Sequence, residues 1–92
     1  MQNIDVVIKF LSYLGLEFDE STVYLSLLNK GPMTVLELSR ATKISRTNVY
    51  RIIERLKDQG FVEENVESTR KLVHPVGMHK LELLVKEQES KS

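Results

Sequence analysis

The chain has 92 residues, with thirteen basic and thirteen acidic side chains, so that its formal net charge is zero. This length suits one domain near the size at which folding buries only about 65% of the unfolded surface, so that a partner subunit would add useful burial. The chain has no cysteine, which excludes disulfides and thiolate chemistry, and its neutral net charge argues against a protein that binds nucleic acid by charge alone. No long apolar run indicates a signal peptide or a membrane span, so we expect a soluble cytoplasmic protein.

The first predicted helix covers residues 3–14 and is apolar on nearly all sides. Its apolar residues are Ile4, Val6, Val7, Ile8, Phe10, Leu11, Tyr13 and Leu14. A helix of this kind must be buried on several sides, and a domain this short covers only one of them. We therefore expect the remainder to pack against a second copy of the chain, although packing across its own core would also account for the pattern.

A second helix is predicted over residues 19–30, with Asp19 as N-cap and Phe18 and Val23 placed to form a hydrophobic staple. The Gly31–Pro32 pair is typical of a helix end. The inner side of this helix is predicted to consist of Val23, Tyr24, Leu27 and Leu28. Its expected role is to support the elements that follow.

Residues 34–60 have the pattern of two helices joined by a tight turn, which is typical of a helix-turn-helix. The first helix, residues 34–41, begins with Thr34 and has Glu37 three residues later, as in a capping box. The second, residues 45–59, has Ser45 as its N-cap, with Ile44 and Val49 spaced as a staple. Both starts are therefore marked in the sequence.

The end of the second helix is marked as well. Gly60 is predicted to adopt the left-handed conformation that ends a helix, which lets Phe61 fold back on Leu56. Apolar residues recur on one side of this helix at 3.6-residue spacing and are predicted to face the core. They are Val49, Ile52, Ile53 and Leu56.

The other side of the second helix is rich in side chains that donate to base edges and phosphates. With the preceding turn, the candidate DNA-binding residues are Lys43, Ser45, Arg46, Thr47, Asn48, Tyr50, Arg51 and Arg55. The N-terminal part of a recognition helix meets the bases, which favours Arg46, Thr47 and Asn48. A solvated helix face is the plainer interpretation, and Tyr50 could either stack on a sugar or base or turn into the core. From Thr34 to Gln59, six basic residues stand against three acidic ones, a field that favours docking on a polyanion.

Two strands, residues 61–66 and 70–76, are predicted after the second helix and would form a β-hairpin. A hairpin there is the wing of a winged helix, and Arg70 and Lys71 are its candidate phosphate contacts. Three glutamates in the same hairpin, Glu63, Glu64 and Glu67, would repel phosphate if they shared its face. A last helix is predicted over residues 78–89, and with the first helix it would form a twofold interface in a homodimer.

The chain resembles the TrmB-like winged-helix domain over roughly residues 10 to 76. The resemblance rests on LGL at Leu14–Leu16, on the segment VYLSLLNKGPMTVLELSRATKISRTNVYRIIERLKDQGFV from Val23 to Val62, and on the hairpin after it. It implies a mainly α fold with a small β-hairpin, a winged helix-turn-helix with extra N- and C-terminal helices, in a dimeric transcriptional regulator of the MarR-like and ArsR-like group. By analogy, residues 45–51 would carry the base contacts. Regulators of this family usually continue into an effector-binding domain, so we carry over no sugar site and expect either a stand-alone binder or a fragment of a longer regulator.

No pattern in the sequence favours catalysis or a cofactor. The chain has no Gly-rich phosphate loop, no exposed-serine turn and no HExxH motif. Glu63 and Glu64 are adjacent and would lie on opposite faces of a strand, so they cannot act as a paired acid and base. His74 and His79 lack a metal-binding spacing. We therefore expect no enzyme, no cofactor and no metal site.

The leading hypothesis is sequence-specific binding of double-stranded DNA by a homodimer, with the recognition helix, residues 45–59, in the major groove. The alternative is a winged-helix protein–protein interaction module in a larger assembly. The neutral net charge and the acidic hairpin are its best support.

Overall fold

The computed structural model describes residues 4–76 as four helices followed by an antiparallel hairpin. The elements are α1 (Ile4–Tyr13), α2 (Phe18–Lys30), α3 (Val35–Thr42), α4 (Arg46–Asp58), β1 (Val62–Glu67) and β2 (Arg70–Pro75). This arrangement confirms the predicted winged helix-turn-helix class, with its additional helix before the helix-turn-helix. The predicted C-terminal helix, residues 78–89, lies outside the described residues. None of the described helices has the length and apolar character needed to cross a bilayer.

The core lies where α2, α3, α4 and the hairpin meet. Its buried apolar residues are Leu11, Leu16, Val23, Tyr24, Leu27, Met33, Val35, Leu38, Val49, Ile52, Ile53, Leu56, Phe61, Val62 and Val73. Tyr24 lies at its centre with 1% of its surface exposed, and its ring meets the ring of Phe61 edge-on at 5.4 Å between centroids. Its hydroxyl donates to the carbonyl of Val76 at 3.1 Å, and burial raises the pKa of Tyr24. Tyr24 thus connects α2 to both ends of the hairpin segment.

The prediction that Asp19 caps α2 is wrong. The N-cap is Glu17, and the backbone N–H of Glu17 donates to Oε1 of Glu20 at 2.9 Å, which starts the helix earlier and leaves Asp19 in its first turn. Phe18 is 67% exposed, so it does not form the predicted staple with Val23. Glu17 is an uncommon N-cap residue, and the sequence rules favour Ser, Thr, Asp and Asn at that position.

Helix α1 has an apolar stripe on the core and two exposed apolar residues elsewhere. Val7, Leu11 and Leu14 follow one another at helical spacing and pack on the core, and Leu11 is completely buried. Val6 is 66% exposed, and Tyr13, seven residues later on the same side of the helix, is 73% exposed. This exposure agrees with the expectation that the chain's own core covers only part of α1.

The hairpin pairs Glu67 with Arg70 across a two-residue turn, Ser68–Thr69, in which Ser68 has a φ of 59°. The structure adds a contact that the sequence analysis did not predict. Met33, just before α3, forms an antiparallel bridge with Val73 of β2, with N···O distances of 3.2 and 2.8 Å. The wing is therefore anchored to the chain segment that leads into the helix-turn-helix.

A second link between the wing and α3 is electrostatic. The carboxylate of Glu37 accepts from the backbone N–H of Thr34 at 3.0 Å, while its other oxygen lies 3.2 Å from Nη2 of Arg70. The backbone hydrogen bond from Thr34 is the main reason that the pKa of Glu37 is lowered, and the positive charge of Arg70 acts in the same direction. Thr34 Oγ1 accepts in turn from the backbone N–H of Glu37 at 3.1 Å, which completes the predicted capping box.

The backbone at Gly31 yields a prediction about stability. Gly31 ends α2 at φ 89° and ψ −175°, a region that residues with a Cβ rarely occupy. A Cβ added there would meet no heavy atom within 4 Å, so steric contact with neighbours plays no part. We predict that Gly31→Ala lowers the free energy of unfolding by about 1–3 kcal/mol, measured by urea denaturation. Lys30→Ala, on the exposed neighbouring residue, is the control, and equal urea midpoints for the two variants would contradict the argument.

The lowered pKa of Glu37 yields a prediction about acid stability. A carboxyl that is harder to protonate in the folded state stabilises the fold at neutral pH, and this contribution is lost as the pH falls below the ordinary value of 4.5 and through the folded pKa. We therefore expect Glu37→Gln to lose less stability than the wild type on acidification, measured as unfolding free energy against pH. Glu63→Gln, on an exposed glutamate of β1, serves as the control. Parallel curves for Glu37→Gln and the wild type would refute this expectation.

Candidate nucleic-acid interface

The position of α4 is fixed by local interactions at both of its ends. Ser45 Oγ accepts from the backbone N–H of Asn48 at 3.2 Å, as its predicted N-cap role requires. At the other end Gly60 has a φ of 83°, the N–H of Gly60 donates to Lys57 O, and the N–H of Phe61 donates to Leu56 O at 2.8 Å. This pair of bonds is a Schellman motif, and the buried Phe61 packs with the core as predicted.

The two sides of α4 are sharply different. Its apolar stripe is buried, with exposed fractions of 0% for Val49 and Leu56, 1% for Ile53 and 8% for Ile52. All ten residues predicted to bind DNA are on the surface. They are Lys43, Ser45, Arg46, Thr47, Asn48, Tyr50, Arg51, Arg55, Arg70 and Lys71. Tyr50 is 52% exposed, so of its two predicted orientations the structure has the outward one.

The turn between α3 and α4 is held by side-chain hydrogen bonds. Ser39 Oγ donates to the carbonyl of Ile44, and Thr42 Oγ1 donates to the carbonyl of Leu38 at 2.7 Å. Lys43 adopts the left-handed conformation, with φ 63°, and its N–H donates to Ser39 O. The turn is thus short and fixed, as a helix-turn-helix requires.

This turn brings a further basic residue to the surface beside α4. Arg40 of α3 is exposed and lines the same shallow depression as Lys43 and Ser45. Arg40 is one of the six basic residues of the predicted helix-turn-helix, but it was not among the candidate contacts. Its position on the outer side of α3, opposite the buried Leu38, was the available signal.

Two of the candidate residues on α4 contact each other. A guanidinium nitrogen of Arg51, Nη2, donates to Oδ1 of Asn48, one turn earlier on the helix. Their spacing of three residues places both side chains on the same surface of α4. This arrangement leaves the amide NH₂ of Asn48 and the remaining donors of Arg51 available, and these are the groups that pair with adenine and guanine edges.

Arg55 has a partner from another helix. Its Nε lies 2.6 Å from Oε2 of Glu20 on α2, in an ion pair whose acidic side chain is only 3% exposed while that of Arg55 is 52% exposed. Because it joins residues far apart in the chain, nothing in the sequence indicated this pair.

The hairpin register separates the two candidate wing contacts. Arg70 is opposite Glu67 and Lys71 is opposite Val66, so the two basic side chains project from opposite faces. Arg70 pairs with Glu37 of α3. Lys71 is exposed near the turn, next to Val66, which is 68% exposed.

Two of the three acidic residues of the wing, Glu64 and Glu67, lie beside basic side chains. Glu64 lies on the face of β1 that turns to the core, and its carboxylate accepts from Lys57 Nζ at 2.9 Å. Lys57 also contacts Glu54 at 3.2 Å, and the two carboxylates, Glu64 first, raise the pKa of Lys57. Glu67 lies 3.2 Å from Nε2 of His74. The predicted repulsion of phosphate is therefore offset at Glu64, and it remains at the exposed Glu63 and Glu67.

Within residues 4–76, no group of three or more His, Cys, Asp or Glu side chains is arranged to hold a metal ion. His74 is part of β2, and His79 lies outside the described residues.

Known structures share this fold. TrmBL2, described as an archaeal chromatin protein with a novel mode of DNA binding, superposes with a TM-score of 0.79 at 22% identity, over 98% of this chain and 35% of its own. The oxidized form of MarR from E. coli gives 0.70 at 20% identity, over 86% of this chain and 58% of its own. A MarR family regulator from Neisseria meningitidis superposes with a TM-score of 0.63 at 19% identity, over 92% of this chain and 64% of its own.

At these identities the superpositions establish the fold alone, and the chain spans about a third of the TrmBL2 chain and about three fifths of the two MarR chains. No curated protein matches the sequence. A family model does match, the one described as the sugar-specific transcriptional regulator TrmB, over residues 11–79. These residues make up most of the chain and include every described element from the end of α1 to β2. The protein therefore belongs to the TrmB family of transcriptional regulators.

Proposed function

We propose that the chain is a sequence-specific regulator of transcription that binds double-stranded DNA as a homodimer, with α4 of each subunit in a major groove. The observation that carries the proposal is the division of α4 into a buried apolar side and an exposed side of base-reading and phosphate-binding residues. Membership of a DNA-binding family supports it. The same proposal places the protein in the cytoplasm with access to chromosomal DNA, and gives it a binding function and not a catalytic one.

Within the interface we assign roles by position. Arg46, Thr47, Asn48 and Arg51 are on the first turns of α4, the part of a recognition helix that meets base edges. Ser45 combines its capping role with a contact to the DNA backbone, and Tyr50 offers an exposed ring. Lys43, Lys71 and the additional Arg40 are assigned to phosphates. Arg70 reaches a phosphate only if it leaves or shares Glu37.

The dimer would form through α1 together with the predicted C-terminal helix. Support comes from two apolar residues on one side of α1, Val6 and Tyr13, which are 66% and 73% exposed in the single chain. Exposed apolar residues at helical spacing favour association with another apolar surface. Two recognition helices related by a twofold axis would then meet half-sites about one helical turn apart.

The mode of binding predicts a strong dependence on salt. If the dimer contacts six to eight phosphates, the logarithm of affinity should fall with the logarithm of salt concentration at a slope on the order of minus five to minus seven. A mobility shift with random duplex at low salt also tests the alternative, a protein-interaction module. Absence of salt-sensitive binding to random duplex would favour that module and refute DNA binding.

Asn48→Ala and Arg51→Ala test the base contacts. On a duplex selected from a random library by the wild-type protein, each substitution should weaken binding by roughly 1–3 kcal/mol and relax specificity. Because Arg51 donates to Asn48, the double variant should lose less than the sum of the single losses. Lys71→Ala is the matched control, since loss of a phosphate contact should weaken binding to all duplexes by the same factor. Unchanged binding by both Asn48→Ala and Arg51→Ala would exclude α4 as the reading element.

Val6→Glu tests the dimer. The wild type should behave in light scattering as a particle of twice 10.6 kDa at micromolar concentration, and Val6→Glu should shift it toward 10.6 kDa. The control is Val66→Glu on the wing, the same substitution at a residue of nearly equal exposure, 68% against 66%. A wild-type monomer, or equal effects of the two substitutions, would remove α1 from the interface.

A further inference from the structure

Glu20 is an acidic side chain in an unusual place. It lies in the first turn of α2, and only 2% of its surface is exposed, whereas its acidic neighbours Glu17 and Asp19 are exposed. A carboxylate removed from water in this way needs partners inside the protein. Its two oxygens have different ones: Oε1 accepts from the N–H of Glu17 at 2.9 Å, and Oε2 lies 2.6 Å from Nε of Arg55.

The pair is beside the recognition surface. Asn48, Arg51 and Arg55 follow one another along α4 at helical spacing and line one side of a cleft. The opposite side of the cleft is formed by the start of α2, with Glu17, Asp19 and Glu20. Acidic residues at the start of α2 therefore lie across this cleft from Asn48 and Arg51 as well as from Arg55.

The two arginines in this cleft differ in what they bind. Arg51 donates to the neutral amide of Asn48, so its positive charge is not neutralised by that contact. Arg55 is in an ion pair with the buried Glu20, although half of its side chain is exposed. A charge that is already matched within the protein releases no counterion when DNA binds, whereas an unmatched charge does.

We propose that Glu20 is a specificity-determining residue, which neutralises Arg55 and thereby confines DNA binding to the first turns of α4. The inference rests on the proposed function and refines it, because it removes Arg55 from the phosphate contacts of the wild-type protein. Binding that does not depend on sequence comes from phosphate contacts. Because Glu20 removes one phosphate contact per subunit, it lowers the affinity for random DNA. The base-reading residues then account for a larger share of the difference in affinity between selected and random sequences.

The direct test is Glu20→Gln, which removes the charge but keeps an oxygen to accept from the N–H of Glu17. With Arg55 released, the salt slope for random duplex should become steeper by about one per subunit. Affinity for random duplex should rise several-fold at about 0.1 M salt, and the ratio between selected and random duplex should fall. Thermal melts by circular dichroism confirm that the variant is folded.

Asp19→Asn is the matched control, because it removes the same charge from the same cleft without breaking an ion pair with Arg55. It should leave the salt slope near that of the wild type. The double variant Glu20→Gln/Arg55→Gln should also return to the wild-type slope, since the released charge is gone. A Glu20→Gln slope equal to that of Asp19→Asn, or weaker binding to random duplex, would overturn the proposal.

A second measurement covers the case in which Glu20→Gln does not fold. In the wild-type background, Arg55→Gln should leave the salt slope unchanged, whereas Lys43→Gln, at a residue assigned to phosphates, should make it shallower by about one per subunit. Equal reductions for Arg55→Gln and Lys43→Gln would overturn the proposal. Failure of the proposed function is recognised separately, because wild-type protein would then show no salt-dependent binding to duplex DNA at all.

Discussion

The structure depends on the burial of one side of α4. Val49, Ile53 and Leu56 are almost completely enclosed between α2, α3 and the start of the hairpin. Burying side chains of this size contributes roughly 1.5–3 kcal/mol each, a large sum against the usual stability of a small domain. The helix cannot rotate without exposing them, so its polar side must face outward. The surface proposed to read DNA is in this sense fixed by the residues that never touch it.

Ion pairs determine which of the basic residues around α4 keep an unmatched positive charge. The net charge of the chain is zero, but its acidic and basic residues are not mixed at random. Glu20, Glu37 and Glu64 each lie beside a basic side chain of another element, respectively Arg55, Arg70 and Lys57. These pairs use basic residues from the C-terminal half of α4 and from the wing, whereas Arg46 and Arg51 at the start of α4 have no acidic partner among the described residues. The positive charge available to a polyanion is thus concentrated where the helix begins.

The features that could be predicted from the sequence are those determined by residues close together in the chain. The caps of α3 and α4 and the stop at Gly60 depend on partners within six residues, and the apolar periodicity of α4 indicates which side is buried. The N-cap of α2 was missed because Glu17 is an uncommon capping residue. The ion pair between Glu20 and Arg55 and the bridge between Met33 and Val73 were missed for another reason. Each joins segments distant in sequence, and a single such contact leaves no periodic pattern to detect.

The bridge between Met33 and Val73 bears on how the domain assembles. A two-stranded hairpin is marginally stable in isolation, so the wing depends on contacts with the rest of the domain. One of these contacts is the bridge to Met33, two residues before α3, and the loop that it closes contains the whole helix-turn-helix. Closing so long a loop is slow and entropically unfavourable. The hairpin also contacts α2 through β2 and α4 through β1, so its native position depends on the packed helices. We therefore expect the wing to unfold together with these helices and not as a separate unit.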